Sequence, residues 1–468
     1  MSDGDLSVFF DSKAGCRDEW IGRNRYYNKL VVDFYRFHTR EGASILEIGC
    51  GTGFLLDALK PSRGVGVDFS GEMIRIASSK YPHLSFVKAD AEDYVLDEKF
   101  DYIIISDTVG LFGDVQEVLR NIKQNCTSRT RVMITTHNFL WEPVLKAGEA
   151  VGLKMWEPVK NWLSADDIMN LLYLEGYETI RGGGEILAPK RIPIVSGFVN
   201  RFVARLPVVG GLCLMQYVIA RPLGVEPVSD MSVSVVVPAR NERGNISRIV
   251  ESVPDMGLWT ELIFVEGGSS DGTWEEIERV AGENESRRIS CMRQDGEGKA
   301  DAVRKGFEAA SGDVLMIYDA DMTVPACDLP KFYEAMASNR GEFINGSRLV
   351  YPQEKQAMRL LNLLGNKVFS MLFSYILGQT VKDTLCGTKV ISRRDYGLLA
   401  ECRHYLGDFD PFGDFDLLFG SWKMGLRIIE VPIRYRERSY GNTNIRRFSH
   451  GLILLKMCLY AAFKLKFR

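Results

Sequence analysis

The feature that most constrains this chain is a pattern that occurs twice. At Ala43 to Gly53, and again at Val233 to Asn241, a β-branched run opens into a loop punctuated by glycine or proline. Alternating strand-like and helix-like stretches follow each one, the pattern of βαβ units around a mainly parallel sheet. In the first half the strand candidates are SILEIG, GVGVDF, LSFVKAD, FDYIIIS and RVMITTH. In the second they are SVSVVVPA, ELIFVEGG, ISCMRQ, DVLMIYDAD and EFINGS. Both halves read as α/β. At 468 residues the chain exceeds what one hydrophobic core usually organises, so two domains are expected.

Composition narrows the class of partner. With 46% hydrophobic and 25% charged residues, disorder is excluded as the main theme. A net charge of -3 excludes a nucleic-acid binder that relies on a broad basic field. Nine cysteines without CxxC pairs or zinc spacing read as reduced thiols of a cytoplasmic protein. Residues 1–20 lack the basic start and apolar core of a secretion signal, and no run reaches the roughly 18 apolar residues needed to cross a bilayer. Membrane association, if it occurs, is expected to be peripheral, at the inner face.

Between the halves lies a different kind of sequence. In residues 190–230, Val195, Phe198, Val199, Phe202, Val203 and Leu206 recur at helical spacing, with Asn200, Arg201 and Arg205 elsewhere on the wheel. An amphipathic helix ending near Pro207 is predicted, either packed on its own domain or lying in a membrane interface. The expected division is a first domain at 1–189, this connector at 190–230, a second domain at 231–450 and an apolar, basic helix at 451–468.

After the strand SILEIG the chain runs through Glu47, Gly49, Gly51 and Gly53 into a helix-like stretch. Glycines there let a ligand approach the backbone where strand turns into helix. Asp68 ends the second strand candidate and Asp90 the third, positions from which carboxylates can reach a ribose diol and an adenine amino group. These residues resemble the class I S-adenosylmethionine-dependent methyltransferases: ILEIGCGTG matches their first motif, VGVDFSGEMIRIA the second and KADAEDY the third, over residues 40 to 185. The resemblance implies a Rossmann-like domain whose S-adenosylmethionine site is formed by Glu47, Gly49, Gly51, Gly53, Asp68, Asp90 and Ala91. A dinucleotide-binding fold shares the ribose carboxylate, and the third motif separates the two. Methyl transfer needs alignment more than acid–base help, although an oxygen nucleophile gains from a base. Ser106, Asp107 and His137 follow the fourth and fifth strands, and His137 is either that base or a hydrogen-bonded structural histidine.

In the second half SVVVPARNE, FVEGGSSDGT, GEGKADAVRKGFEAASGD and VLMIYDAD follow one another. Asp319 and Asp321, one residue apart after an apolar run, bring their oxygens together at the sheet edge. Such a pair suits a shared Mg²⁺ or Mn²⁺ that bridges a diphosphate. This half resembles the family 2 inverting glycosyltransferases of GT-A fold, within them the dolichyl-phosphate mannose synthase-like branch, over residues 231 to 450. By position the resemblance implies a nucleotide-sugar site lined by Pro238, Asn241, Glu242 and Glu266, supported by Asp271, with Lys299 at the donor and Asp319 and Asp321 as the metal pair. The family usually reads DDGSxD; here the paired aspartates are Glu266 and Gly267, so UDP against GDP stays open.

Further on come DTLCGTKVISRR, GDFDLLFG and VPIRYRERSYGNTNIRR. Asp416 aligns best with the family's general base, with Asp414 second; a lipid-phosphate acceptor, already ionised, needs no base. Gly441 and Thr443 match the family's loop near the donor pyrophosphate, which makes Arg438, among Arg434, Arg436, Arg446 and Arg447, the clamp on the departing diphosphate. An apolar face at Leu360, Leu361, Leu364, Val368, Phe369, Leu372, Phe373 and Ile376, with the C-terminal helix, is expected to pack internally or to meet anionic lipid. The expectation is a bifunctional transferase using S-adenosylmethionine and a divalent metal, with a UDP- or GDP-sugar donor and a lipid-phosphate or glycan acceptor. The alternative is a soluble glycan-modifying enzyme whose first half only binds.

Overall fold

The computed structural model describes residues 3–158, 161–225, 230–351, 360–401, 403, 413–438, 440 and 455–468. Gly441, Thr443, Arg446 and Arg447, and the side chains of Leu360, Leu361 and Leu364, lie outside the described residues. The chain forms two compact units whose boundary in sequence falls between residues 227 and 228.

The first unit is a seven-stranded sheet of β1 (Ser44–Ile48), β2 (Arg63–Asp68), β3 (Ser85–Lys88), β4 (Tyr102–Ser106), β5 (Arg131–His137), β6 (Tyr177–Ile186) and β7 (Met215–Pro222), in the order β3-β2-β1-β4-β5-β7-β6. The first five strands are parallel, and β7 runs antiparallel to both of its neighbours. Its helices are α1 (Asp3–Arg23), α2 (Arg25–His38), α3 (Phe54–Leu59), α4 (Gly71–Lys80), α5 (Val115–Ile122), α6 (Glu142–Ala150), α7 (Ala165–Leu174) and α8 (Val195–Arg201). Side chains alternate across a strand, so Leu46 and Ile48 of β1 join a core with α5 and α7, while Ile45 joins one with α2 and α3. Cores on both faces explain why these strands read as near-continuous apolar runs. The helix starts are locally encoded: the Ser70 hydroxyl caps α4 by accepting Met73 N–H at 3.2 Å, and Ser164 with Asp167 forms a capping box on α7.

The stretch expected as a connector, 190–230, contains a strand of the first sheet. Residues 215–222 form β7, which separates β5 from β6, so this stretch completes the first sheet and the unit extends past residue 189. The helical segment is α8 followed by a 3₁₀ turn at Val203–Arg205, and it is turned with polar residues inward. Asn200 is buried because its amide oxygen accepts the Leu187 and Ala188 N–H groups at 3.0 and 2.8 Å; Val195, Phe198 and Leu206 are exposed.

The second unit has strands β8 (Val233–Ala239), β9 (Thr260–Glu266), β10 (Arg288–Arg293), β11 (Val314–Ile317), β12 (Phe343–Ser347), β13 (Lys389–Ser392) and β14 (Ile428–Pro432), in the order β10-β9-β8-β11-β13-β12-β14. Only β13 is antiparallel to its neighbours. The helices are α9 (Arg243–Ser252), α10 (Thr273–Glu283), α11 (Gly298–Ala309), α12 (Leu329–Ala337), α13 (Leu360–Leu377), α14 (Arg393–Glu401) and α15 (Asp414–Lys423). Register sets the site: Ala239 pairs with Glu266, and Met316 with Val390, so the loops after β8, β9 and β11 and the start of β13 meet at one edge.

Candidate active sites

In the first unit, the loop after β1 turns back onto β2, where Gly49 N–H donates to Val67 O at 2.8 Å. Gly49 has φ +75, and a Cβ on it would stand 2.7 Å from Thr108 Cγ2, so the turn tolerates only glycine. Asp68 accepts Gly51 N–H and Ser70 N–H at 2.8 and 2.9 Å, which fixes its carboxylate beside the glycine loop. Burial raises the Asp68 pKa, and those two N–H groups oppose the shift. Glu47 is buried more deeply in effect: desolvation pushes it up to about 8, and its Oε2 has no hydrogen-bond partner among the described residues. Asp90 is exposed after β3, with Ala91 buried next to it.

These residues open into a cavity of about 760 Å³ lined by Glu47, Gly49, Gly51, Asp68, Asp90 and Ala91. Gly53 stands apart from it; it leads into α3 with φ +76, and a Cβ on it would stand 2.7 Å from the Phe86 ring. Helix α1 covers the cavity with Phe10, Arg17 and Trp20 and is tied down at Asp11 to Ser70 (2.6 Å) and at Asp18 to Thr52 (2.8 Å) and Lys80 (2.7 Å). Arg17 reaches Glu157 at 2.6 Å. Burial opposes the Glu157 charge, but Arg17 and Lys154 hold its carboxyl near 2.

The cavity tests well for S-adenosylmethionine. An orphaned buried carboxylate oxygen and a second carboxylate held by backbone N–H groups suit a ligand with an ammonium and a ribose diol, and beyond the Gly51 Cα lies open space. Tyr27, Asp107 and His137 also line the cavity, and they meet: the Tyr27 hydroxyl donates to Asp107 Oδ2 at 2.6 Å and lies 3.1 Å from His137 Nε2. Sequence reasoning missed Tyr27, which comes from a helix with no local motif.

In the second unit, the donor loops are laced together. Asn241, at φ +57, accepts Ser270 N–H at 2.9 Å through Oδ1, and its own N–H donates to Ser269 Oγ at 2.9 Å. Asp271 accepts Arg243 N–H at 3.2 Å and the Tyr440 hydroxyl at 3.3 Å; partial burial opposes its charge, but these donors and Thr273 keep its carboxyl below the usual range. Glu266 is buried and accepts Ser269 N–H, so it holds the loop, and Pro238 lies on β8 opposite Val265.

Acids and bases alternate around Asp319 and Asp321. Lys299 Nζ lies 2.6 Å from Asp319 Oδ1. Burial opposes both charges, yet each partner holds the other ionised: the Asp319 pKa is lowered and that of Lys299 raised. Asp321 accepts Thr323 N–H and hydroxyl at 3.1 and 2.8 Å through one oxygen and Arg438 at 2.8 Å through the other. Arg438 also reaches Glu242 Oε1 at 3.2 Å; burial raises the Glu242 pKa against that cation. Among the described residues no group of three or more His, Cys, Asp and Glu side chains gathers as a ready-made metal site. Asp319 and Asp321 would be the residues to offer carboxylate oxygens to a hard divalent ion, whose charge would offset that of a diphosphate.

Asp416 and Asp414 have different partners. Asp416 is ion-paired with Arg403 at 2.8 Å and Arg304 at 3.4 Å. Asp414 instead lies 3.1 Å from buried Lys389, at the start of β13, and its charge is felt at Lys299. Gly387, two residues before Lys389, packs so closely that a Cβ there would overlap the Asp319 carboxylate and Lys299 Nζ. Neither Gly387 nor Lys389 was singled out from sequence, although DTLCGTK carried both.

Residues 20–180 match the family model described as a methyltransferase domain, and residues 234–397 match that of glycosyl transferase family 2. The chain carries one domain of each kind, the Rossmann-like and GT-A folds expected. It is similar to a dolichol-phosphate mannosyltransferase of Pyrococcus furiosus, 35% identical over 222 residues, covering 46% of this chain and 60% of that protein. It is also similar to an undecaprenyl-phosphate 4-deoxy-4-formamido-L-arabinose transferase of Edwardsiella ictaluri, 26% identical over 236 residues, covering 49% of this chain and 66% of the other. Each match spans less than two thirds of the relative. A Thermotoga maritima S-adenosylmethionine-dependent methyltransferase structure aligns at 18% identity over 46% of this chain and 99% of its own, with a TM-score of 0.36, too loose to carry an argument.

Proposed function

We propose that a chain carrying these two domains is a bifunctional transferase. Its second domain moves a sugar, with inversion, from a UDP- or GDP-sugar to a polyprenyl phosphate, and its first methylates a related glycan or lipid. The observation that carries the sugar-transfer reading is the alternation of charge at one sheet edge: Asp319 with Lys299, and Asp321 and Glu242 with Arg438. A nucleotide diphosphate with Mg²⁺ or Mn²⁺ brings the complementary alternation. The metal, when bound, offsets charge on the leaving diphosphate. Arg438 supplies a second positive charge to the same group, and Lys299 orients the Asp319 carboxylate.

For catalysis on the acceptor side we rank Asp414 above Asp416, the reverse of the order from alignment. Two arginines engage Asp416, which makes it a positioning residue for α15. Asp414 faces Lys389 beside the metal pair, where a carboxylate can orient an acceptor phosphate or hydroxyl through that ammonium. For the first domain, Glu47, Asp68, Asp90, Gly49 and Gly51 would hold S-adenosylmethionine, which supplies a methyl group on a sulfonium.

A lipid acceptor also accounts for exposed apolar surface. Val368, Met371 and Leu372 of α13 are exposed, as are Leu455, Leu459 and Phe463, with exposed Lys456 and Lys464 among them. Lys466 lies 4.7 Å over the Tyr375 ring, which ties the C-terminal segment to α13. Among the described residues no helix is long and apolar enough to cross a membrane, and this surface suits peripheral contact with anionic lipid.

A donor screen tests the sugar-transfer reading. The purified chain is offered UDP- and GDP-sugars with Mg²⁺ or Mn²⁺, with and without a polyprenyl phosphate, and nucleotide release is followed. Release that depends on both metal and lipid phosphate is expected. Metal-dependent release to soluble glycans alone would replace the lipid reading, and full activity in EDTA would remove the metal.

A further inference from the structure

We infer that His137 is the general base of the methyltransferase domain, that it acts through Nδ1, and that the group it deprotonates is a hydroxyl. The inference rests on the methyl-transfer reading of the first domain and names its acceptor class. Three elements far apart in sequence build the site: Tyr27 on α2, Asp107 in the turn after β4, and His137 at the end of β5. All three line the cavity that also holds Glu47, Asp68 and Asp90.

The hydrogen bonds determine the tautomer. A phenol has one proton, and burial followed by the neighbouring Asp107 carboxylate pushes the Tyr27 pKa well above its ordinary value, so the proton stays. That proton is donated to Asp107 Oδ2 at 2.6 Å. The Tyr27 oxygen, 3.1 Å from His137 Nε2, can then only accept, so Nε2 carries the hydrogen. The ring's lone pair is left on Nδ1. Among the described residues, Tyr27 is the ring's one hydrogen-bond partner, and the side chain keeps 21% of its exposure.

Asp107 is built for this duty. It sits at φ +56, a conformation a non-glycine residue adopts at a cost, and its N–H is held by Thr135 O and Oγ1 at 3.1 and 3.2 Å. Its Oδ2 lies 3.7 Å from His137 Nε2, close enough to stabilise an imidazolium directly and through Tyr27.

A base of this kind is useful to an acceptor that still carries its proton at neutral pH. Carboxylates and phosphates are ionised already, and a neutral amine attacks through a free lone pair. An alcohol needs the help. As the new C–O bond forms from the acceptor oxygen, the methyl–sulfur bond breaks with its electron pair kept by sulfur, and the hydroxyl proton passes to Nδ1. The sulfonium charge thus ends as imidazolium charge, next to Asp107.

The full-length chain, ¹⁵N-labelled at its five histidines, tests the tautomer by long-range ¹H–¹⁵N correlation at pH 8, with His137 assigned by its disappearance in His137→Gln. The expected ring carries hydrogen on Nε2; a ring with hydrogen on Nδ1 overturns the proposal whether or not a test acceptor is used. Methyl transfer from labelled S-adenosylmethionine is then compared on octyl mannoside, which offers only hydroxyls, and on its amino-sugar counterpart. Methylation of the hydroxyl probe, reduced at least about a hundredfold by His137→Gln, is expected. Methylation of the amine alone, or an unchanged rate in the variant, overturns it. Calorimetric binding of S-adenosylmethionine, expected within about twofold of wild type in His137→Gln, keeps the two readings apart: no binding by wild type would fault the methyltransferase reading itself.

Discussion

At the edge of the first sheet, Glu47 and Asp68 are buried carboxylates that form no ion pair among the described residues; one relies on backbone N–H groups and the other has an oxygen with no partner. At the edge of the second, Asp319, Asp321, Glu242 and Asp414 each stand beside a lysine or arginine. Both edges arise from the same strand-to-loop architecture, so the difference belongs to the ligands. A buried acid without a cation is costly until a positive ligand arrives. A lattice of both signs is stable while empty and exchanges its pairings when an anion arrives with its own metal. The first edge thus suits the cationic S-adenosylmethionine proposed for it, and the second the proposed nucleotide diphosphate with its counterion.

The hardest blow to that contrast is Asp321→Asn. It keeps side-chain shape while removing the charge that would hold the metal, and sugar transfer should fall by at least about two orders of magnitude. Folding should change by about 1–3 kcal/mol, because the mostly buried Asp321–Arg438 pair is lost while Arg438 keeps Glu242. Binding of S-adenosylmethionine should be untouched; undiminished sugar transfer would dissolve the second half of the comparison. Next comes Asp68→Ala on the other side. Losing hydrogen bonds from a charged group to a ribose should cost about 1.5–3 kcal/mol, roughly 10- to 150-fold in affinity by calorimetry. Equal affinities would remove Asp68 from the site.

A gentler probe uses pH. With its pKa raised to about 8, Glu47 is mostly protonated at pH 7, whereas a cationic ligand favours the ionised form. Affinity for S-adenosylmethionine should therefore climb by up to about tenfold per pH unit toward pH 8 and flatten above it. Glu47→Gln should show no such slope. The same shift makes the fold itself prefer acid: the contribution is fully present below the unfolded carboxyl value of 4.5 and is lost as pH rises through 8. The smallest expected effect is at the proposed lipid face, where Lys456→Ala should weaken binding to anionic vesicles by about 1 kcal/mol, roughly fivefold, and less in high salt. A protein that ignores vesicles of every composition would return that surface to internal packing.

The sheet edges were legible because their residues are local: a glycine loop after one strand and an aspartate pair after another need no knowledge of distant chain. What stayed hidden depends on long-range pairing. Tyr27 meets His137 across two elements with no shared motif, and Asp416 is revealed as an ion-pair partner only once Arg304 of α11 and Arg403, beyond α14, are brought to it. The strand β6 contains three successive glycines, Gly182 to Gly184, a composition that weakens a local strand signal. In the amphipathic segment the spacing showed a helix but not which face turns inward, which is set by a buried asparagine answering two distant backbone N–H groups.

The placement of β7 also sets a schedule for synthesis. In the finished sheet β6 pairs with β7 alone, and β7 is the strand that covers the flank of β5. A nascent chain that has emerged only as far as residue 190 therefore carries β5 with an open flank and β6 with nothing to bond, an invitation to associate with other chains. At about 5–20 residues per second, the ribosome needs a few more seconds to deliver Met215–Pro222. Until then the first unit is exposed to chaperones, and a fragment cut at residue 189 would remain in that state permanently, while one cut near residue 225 would not.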